Sequence, residues 1–248
     1  MLCACILLWA PAYADAQSEA SSSLKLVEHP WYFGIYGGYA HNTLYQGGAE
    51  DSRPGKAWES GHGWTIGIPV RFQIFNWLAV QVEPTFITKN YRYSSPIFGG
   101  DYFNQTTNSF FDIPVLVNLS IPLAGISGLR LFVNGGVFLG VWAASHEYGR
   151  SIPIAQTPSD PIGLYYEYDE DYTFDERRDS RFDGGFVAGA GVQYEFRWFN
   201  VFAEWRYNYS LSDLQKPYQK QDFSPLMNDT WTVQLGIMIN PGKIKGKR

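Results

Sequence analysis

Two runs of alternating residues within 110–142 constrain the fold more than any other stretch of this sequence. Apolar side chains occupy every second position of 111–121, and the pattern repeats over 129–141. A period of two over about a dozen residues predicts a long strand, and the Pro/Gly-containing turn at 122–128 predicts a hairpin. Strands of this length with one fully apolar face are uncommon in soluble proteins. They fit a membrane-spanning β-barrel, whose tilted strands need about 9–11 residues.

The same alternation occurs in six further segments, which gives eight predicted strands in all. These strands cover 31–43, 64–74, 78–89, 111–121, 129–142, 184–196, 201–209 and 230–239. The connections between them alternate between long and short, with long loops predicted at 44–61, 91–107, 143–182 and 211–227. All long loops would therefore emerge on one rim. The sequence predicts an all-β fold, an eight-stranded antiparallel up-and-down transmembrane β-barrel with short periplasmic turns and long extracellular loops.

Aromatic residues provide a second line of argument, because they gather near both predicted rims as interfacial girdles do. Tyr91, Phe110 and Trp142 are assigned to the outer girdle on this basis. The alternative is a soluble eight-stranded barrel such as a lipocalin, which would turn its aliphatic face inward. Such barrels seldom have strands of a dozen residues with aromatic clusters at both ends.

The N-terminal segment 1–16 has an apolar core followed by small residues, which predicts a secretory signal peptide. A Ser-rich leader is predicted for 17–30, the barrel for 31–240, and a basic, loose periplasmic tail for 241–248. Both cysteines lie in the signal segment, so a mature chain without thiol or disulfide chemistry is expected. The net charge of −5 argues against a nucleic-acid partner.

Over 31–240 this pattern resembles the small eight-stranded outer-membrane proteins, the OmpA-, OmpX-, OmpW- and opacity-protein-like β-barrel domains. The resemblance rests on architecture rather than on a signature motif. It implies a bacterial outer-membrane location, contact with outer-membrane lipid, and a porin-like or cell-surface role without a cofactor. Family members often end on an aromatic residue, whereas this chain continues past Asn240 with a basic segment.

The inward face of such a narrow barrel is filled by side chains, and charges placed there must be paired. The sequence predicts a polar network in the lumen from residues at similar depth in their strands: Arg71, Glu83, Asn118, Arg130, Gln193, Glu204 and Arg206. Arg130 is expected within about 6 Å of a carboxylate. A structural plug of ion pairs is the simpler interpretation, and a gate or proton-sensitive channel is the functional one.

The third long loop is acidic and rich in tyrosine. The candidate residues for an external interaction are Tyr166, Tyr168, Asp169, Glu170, Asp171 and Asp175. Dense carboxylates can bind Ca²⁺, but the spacing of Asp169 and Asp171 lacks the Gly and the distal Glu of an EF-hand loop. We expect a solvated loop whose interleaved aromatic residues suit a recognition surface.

The predicted function is that of a monomeric, non-enzymatic outer-membrane barrel that presents external loops for surface interaction or envelope integrity. An extracellular or envelope protein or a small hydrophobic ligand would be its partner. One alternative is a narrow OmpW-type transport barrel for small hydrophobic molecules. Another is a lipid-modifying outer-membrane enzyme, for which Ser60, His62 and His41 near the outer rim are the candidates.

Overall fold

The computed structural model describes residues 26–46, 57–97, 100–151, 166–216 and 226–245. No helix in these ranges is long and apolar enough to cross a membrane. The described part of the chain forms β1 (Trp31–Gln46), β2 (Ala57–Gly67), β3 (Val70–Gln73), β4 (Leu78–Val82), β5 (Thr85–Ile97), β6 (Gly100–Pro122), β7 (Leu129–Ser151), β8 (Tyr166–Asp171), β9 (Phe182–Glu195), β10 (Phe199–Ser210), β11 (Leu226–Ile239) and a short helix α1 (Pro241–Lys245).

The strands close into a ring with eight positions. β1 pairs antiparallel with β11 on one side and with β2 and β3 on the other, so the first and last strands seal the sheet. Two ring positions are each shared by two consecutive strands: β2 and β3 share one, and β4 and β5 share another. β8 pairs with the end of β7 that extends beyond the pairing of β7 with β9. The predicted all-β, eight-stranded antiparallel up-and-down barrel is confirmed.

Proline explains why two of the eight ring positions are divided. Pro69 lies between β2 and β3, and Pro84 lies between β4 and β5. A proline has no N–H, so each removes one bond from the ladder. The wall nevertheless continues, because Ile68 N donates to Pro84 O at 2.9 Å and Glu83 N donates to Pro114 O at 3.0 Å. These bonds hold Glu83 in the wall although it lies outside a strand.

The alternation along each strand separates an outer apolar surface from a buried interior. On β6, Ile113, Val115 and Val117 are 39%, 43% and 47% exposed, whereas Asp112 and Leu116, at the alternate positions, are buried. An aliphatic surface that continues around the ring needs an apolar environment rather than water. The lipocalin-like alternative is wrong, since it would place this surface inside.

Several strands continue well beyond the predicted boundaries. β6 and β7 have 23 residues each, about twice what a tilted membrane strand requires. The long loop predicted at 91–107 is wrong, because β5 and β6 pair over most of it. The irregular stretch predicted at 143–182 is wrong in part, because β7 continues to Ser151 and pairs with β8. These extensions are polar, so they lack the alternation that identified the membrane segments, and their backbone hydrogen bonds form all the same.

The predicted signal peptide and most of the predicted leader lie outside the described residues. At the other end of the chain, part of the predicted loose tail is helical. Asn240 caps α1, since its Oδ1 accepts from Gly242 N at 3.0 Å and from Lys243 N at 3.2 Å. Pro241 supplies the favourable first residue of the helix.

Candidate functional site

A buried group of charged side chains joins opposite walls of the lumen. Arg206 on β10 donates from Nε to Glu204 Oε1 at 2.6 Å and from Nη2 to Glu83 Oε1 at 3.0 Å, and its Nη1 also contacts Glu83 Oε2. All three side chains are buried. Glu83 lies four ring positions from β10, so this bond crosses the full width of the barrel. The planar guanidinium suits such a site because it can serve two carboxylates at once.

Amide side chains extend this group toward the periplasmic end. Arg71 on β3 donates to Gln81 Oε1 at 2.5 Å and to Gln193 Oε1 at 2.7 Å, and Gln193 lies on β9 at the opposite wall. Gln81 in turn donates to Glu83. Gln193 also donates to Glu195 Oε1 at 3.1 Å. Arg71 is therefore connected to the Arg206 group through one neutral amide, Gln81, and to Glu195 through the other, Gln193.

Neutral donors complete the group on its other side. Tyr36 OH donates to Glu83 Oε2 at 3.2 Å and lies 2.6 Å from Thr85 Oγ1. Asn134 Nδ2 donates to Glu204 Oε1 at 3.0 Å. Buried carboxylates need such partners, because each unpaired lone pair in a low-dielectric interior costs free energy. We call the connected residues the Arg206 network.

The residues predicted from the sequence fall into three groups. Five of them belong to the Arg206 network, namely Arg71, Glu83, Gln193, Glu204 and Arg206. Arg130 lies at the periplasmic edge instead, where Nε is 3.6 Å from Glu195 Oε1 and Nη2 donates to Ser120 Oγ at 3.1 Å. Asn118 is buried, and its Nδ2 has no hydrogen-bond partner in the described part of the chain. Arg130 thus lies as close to a carboxylate as expected, and Glu195, which also accepts from Gln193, links it to the edge of the network. Equal depth along the strands did not place Asn118 in the network, because the strands are tilted.

A second buried charge group, centred on Lys89, was not predicted from the sequence. Lys89 Nζ on β5 lies 3.1 Å from Asp112 Oδ2 and 2.6 Å from Asp183 Oδ2, and Asp183 also accepts from Ser210 Oγ at 2.5 Å. The lysine nitrogen also lies 4.3 Å from the centre of the Phe110 ring. Alternation already assigned Lys89 and Asp112 to the inner face. Asp183 immediately precedes the predicted sixth strand, so its contribution could be found only from the pairing of β7 with β9.

Aromatic rings cover the lumen at its external end. Phe110 and Trp142 stack at 5.9 Å with an angle of 8° between the rings, and both are buried in a cluster with Ile87, Leu44 and Leu214. These two rings face inward, so their assignment to the outer girdle is wrong. Both residues are even-numbered, and on these parts of β6 and β7 the even-numbered side chains point into the barrel. The Arg206 network, the Lys89 group, this aromatic cluster and two further clusters of buried apolar side chains occupy the lumen that the described strands enclose.

Outside the barrel, β7 and β8 form a two-stranded ribbon that we call the external ribbon (146–151 with 166–171). His146 Nδ1 and Nε2 lie 2.9 Å and 2.7 Å from carboxylate oxygens of Asp171 and Asp169. These two hydrogen bonds, with Asp171 first, raise the pKa of His146 above its usual value. Arg150 Nη2 donates to Glu167 Oε1 at 2.6 Å. Most of the ribbon's side chains are exposed, so most of its charges face water.

The remaining candidates of the predicted external loop differ in their surroundings. Tyr166 and Tyr168 stack at 6.2 Å on β8, and Glu170 lies opposite Glu147 across the ribbon. Asp175 lies beyond the ribbon, where its Oδ1 accepts from Arg177 N at 2.9 Å in a turn. Five of the six predicted residues therefore share one element, and Asp175 lies in a separate turn.

The candidate catalytic residues lie on the wall near the external rim. Ser60 Oγ contacts Thr43 Oγ1 at 3.2 Å, while His62 Nδ1 is bonded to the hydroxyl of Tyr39. The rings of His41 and His62 lie 5.4 Å apart. The hydroxyl and the imidazole are thus each engaged with a different neighbour, and the part of the chain that the structure describes does not join them into the relay of serine, histidine and acid that nucleophilic catalysis uses.

Comparison with known protein families identifies the fold. A profile described as "outer membrane protein beta-barrel domain" matches residues 15–216, most of the chain. The chain belongs to this family. It is therefore a protein of the bacterial outer membrane, and the aliphatic outer surface of its barrel faces lipid. The family assignment carries no specific ligand or reaction.

Solved structures of similar shape include three outer-membrane proteins. Neisserial surface protein A is 15% identical, with 84% of this chain and 96% of that one covered and a TM-score of 0.41. OprG from Pseudomonas aeruginosa is 11% identical, with 85% of this chain and 96% of OprG covered and a TM-score of 0.43. Outer membrane protein W from E. coli is 13% identical, with 86% of this chain and 100% of that protein covered and a TM-score of 0.41. No curated protein sequence matches the chain significantly.

Proposed function

We propose that this protein is a non-conducting outer-membrane barrel whose external ribbon contacts a basic partner at the cell surface. The observation that carries the proposal is the bond from Arg206 on β10 to Glu83 on the opposite wall. A contact across the full width of a narrow barrel leaves no continuous path for solutes at that level. The barrel then serves as a scaffold, and recognition takes place on its external elements.

The charge of the external ribbon favours a basic partner. The ribbon carries one arginine, Arg150, and five carboxylates, on Glu147, Glu167, Asp169, Glu170 and Asp171. Clustered charge of one sign attracts an oppositely charged partner and speeds its association. Tyr166 and Tyr168 add stacked aromatic surface beside these carboxylates, and tyrosine is enriched at protein interfaces.

Binding measurements on the full-length protein in nanodiscs test the ribbon's role. The probe is a fluorescent lysine-rich peptide, and the variant combines Glu167→Gln, Asp169→Asn, Glu170→Gln and Asp171→Asn. We expect peptide affinity to fall at least tenfold in the variant and to fall with added salt in the parent protein. Glu28→Gln, which changes a carboxylate on the periplasmic side, is the control and should leave affinity unchanged. Equal binding by the parent and the ribbon variant contradicts the proposal.

Conductance measurements separate the scaffold from a transport barrel. Purified protein in planar bilayers is expected to give no discrete single-channel steps, because charged side chains cross the lumen. Stable steps would overturn the proposal and favour the narrow transport barrel. Purified protein of the same family with a known open lumen provides the positive control for insertion.

A further inference from the structure

A cavity of about 210 Å³ lies at the external mouth of the barrel, above the aromatic cluster. We call it the vestibule. Trp142 forms part of its floor, and Tyr172 stacks on that ring at 6.1 Å with an angle of 9°. Leu214 and Leu226 line another side. Among the described residues, the aromatic cluster lies between the vestibule and the charged lumen, so the vestibule belongs to the external side of the barrel.

The wall of the vestibule is held in place by one buried carboxylate. Asp179 accepts from Tyr172 OH at 3.0 and 2.9 Å, from Asp175 N at 2.8 Å and from Arg178 Nε at 3.1 Å. The segment is also tied to the chain after β10, since Ser180 N donates to Leu214 O at 2.9 Å. Asp179 and Arg178 are therefore occupied with each other and with the wall.

Two polar side chains in the vestibule have no such partner. Ser145 is only 5% exposed, and its Oγ has no hydrogen-bond partner in the described ranges. Glu147 lies two residues along β7 on the same face of the strand and also lines the vestibule. Its carboxylate forms no hydrogen bond or ion pair within the described residues. A buried hydroxyl without a partner costs free energy, so a ligand that bonds to it gains that free energy back.

The charges and rings of the vestibule select among possible ligands. Arg178 is paired with Asp179, so the charge on Glu147 is left uncompensated and favours a cation. A metal ion would need more oxygen ligands than one carboxylate and one hydroxyl. A quaternary ammonium group would need a free aromatic face, whereas Trp142 stacks with both Phe110 and Tyr172, and the guanidinium of Arg178 lies over the Tyr172 ring. A primary ammonium group fits, because its three N–H donors match the acceptors that Glu147 and Ser145 offer.

We propose that the vestibule binds the primary ammonium group of a small organic amine through Glu147 and Ser145, with the apolar part of the amine against Leu214 and Leu226. This site lies on the inner face of β7 and does not depend on the partner proposed for the external ribbon. The negative charge of the ribbon would raise the local concentration of such cations.

The test is a titration of the full-length protein in nanodiscs, followed by NMR of the Ser145 and Glu147 amides. n-Butylammonium, added in the millimolar range, is expected to give saturable shifts. Tetramethylammonium and n-butanol, which lack either the N–H donors or the charge, are expected to bind at least tenfold more weakly. Tetramethylammonium binding as well as n-butylammonium would overturn the proposal, and so would unsaturable shifts with n-butylammonium.

Matched variants separate the site from the general field of the ribbon. Glu147→Gln should weaken n-butylammonium binding at least tenfold, whereas Glu170→Gln, which removes the same charge from the facing residue on β8, should weaken it less than twofold. Ser145→Ala should weaken binding severalfold without lowering stability, because it removes a hydroxyl that has no partner in the free protein. Equal effects of Glu147→Gln and Glu170→Gln would show nonspecific attraction and overturn the proposal. The ribbon variant that tests the proposed function retains both Glu147 and Ser145, so the two proposals can fail separately.

Discussion

The Arg206 network and the external ribbon are built from the same kinds of ion pair in opposite environments. In the network, Arg206 contacts Glu83 and Glu204 with all three side chains buried. In the ribbon, Arg150 contacts Glu167 while both side chains remain well exposed. Buried pairs are costly to break, because a lone charge then remains in a low-dielectric interior. Exposed pairs contribute little, because water and salt replace either partner.

This difference assigns different roles to the two regions. The network couples opposite walls of the barrel and so fixes its closed cross-section. The ribbon can lose or exchange ion pairs at little cost, which suits a surface that must bind a partner. We therefore expect charge in the lumen to act on stability, and we propose that charge on the ribbon acts on recognition.

The largest effect is expected from Arg206→Met, which leaves Glu83 and Glu204 buried without their cation. We expect the free energy of unfolding in lipid nanodiscs to fall by about 3–5 kcal/mol. Arg150→Met is the matched control in the ribbon and should change it by less than about 1 kcal/mol. Denaturant titrations measure both values. Equal losses in the free energy of unfolding for Arg206→Met and Arg150→Met would contradict the distinction between the two regions.

A smaller loss is expected when the Lys89 group is disturbed through its neighbour. An added Cβ at Gly140 would overlap Asp112 Oδ1, so Gly140→Ala must displace the carboxylate whose Oδ2 pairs with Lys89. We expect a loss of about 1–3 kcal/mol in the same titrations. Gly135→Ala is the control on the same strand, because the nearest atom to its added Cβ lies 3.8 Å away. A loss in Gly135→Ala equal to that in Gly140→Ala would contradict this account.

Tyr36→Phe tests the neutral donors of the Arg206 network. The variant removes a hydroxyl that bonds to Glu83 and contacts Thr85, and we expect it to lower the free energy of unfolding by about 1–2 kcal/mol. Tyr39→Phe is the control on the same strand, since its hydroxyl contacts exposed His62. A loss in Tyr39→Phe as large as in Tyr36→Phe would show that burial does not set the difference.

The smallest effect on stability is expected from a rise in pH that deprotonates His146 in the ribbon. Because Asp171 and Asp169 raise the pKa of His146, protonation stabilises the pairing of β7 with β8. This contribution is complete below the unfolded-state pKa of about 6.5 and is lost as the pH rises through the higher folded pKa. Hydrogen exchange of the Tyr172 amide, which donates to Ser145 O at 2.9 Å, should therefore speed up over that window beyond the intrinsic pH effect. His146→Gln should abolish this additional pH dependence, so that exchange of the Tyr172 amide follows the intrinsic pH effect alone. An NMR midpoint for His146 at or below its usual value would contradict this prediction.

The membrane segments could be predicted from sequence because their pattern has a local cause. In 111–121 and 129–141, lipid on one side and a packed lumen on the other require strict alternation, and the structure follows it residue by residue. The external extensions of β5, β6 and β7 have water outside, which imposes no such pattern. These extensions are stabilised by backbone hydrogen bonds, which leave no periodic pattern in the sequence from which a strand could be predicted.

The lumen residues were only partly predictable for a different reason. Alternation identifies which side chains point inward, so Glu83, Glu204 and Arg206 could be selected together. Tilt and stagger of the strands decide which of them meet, and these depend on the closed ring. The pairing of Lys89 with Asp183, three ring positions apart, and that of Arg130 with Glu195 at the periplasmic edge could not be predicted for that reason.

The sequence by itself determined that this chain is a membrane barrel, with eight membrane-crossing segments, an apolar outer face and a charged interior. These properties follow from the side-chain period of a strand between lipid and a packed lumen. Only the tertiary structure decided which charges pair across the lumen, that aromatic rings cover its external end, and that Ser145 and Glu147 share a vestibule. Contacts between strands far apart in sequence exist only after the ring has closed.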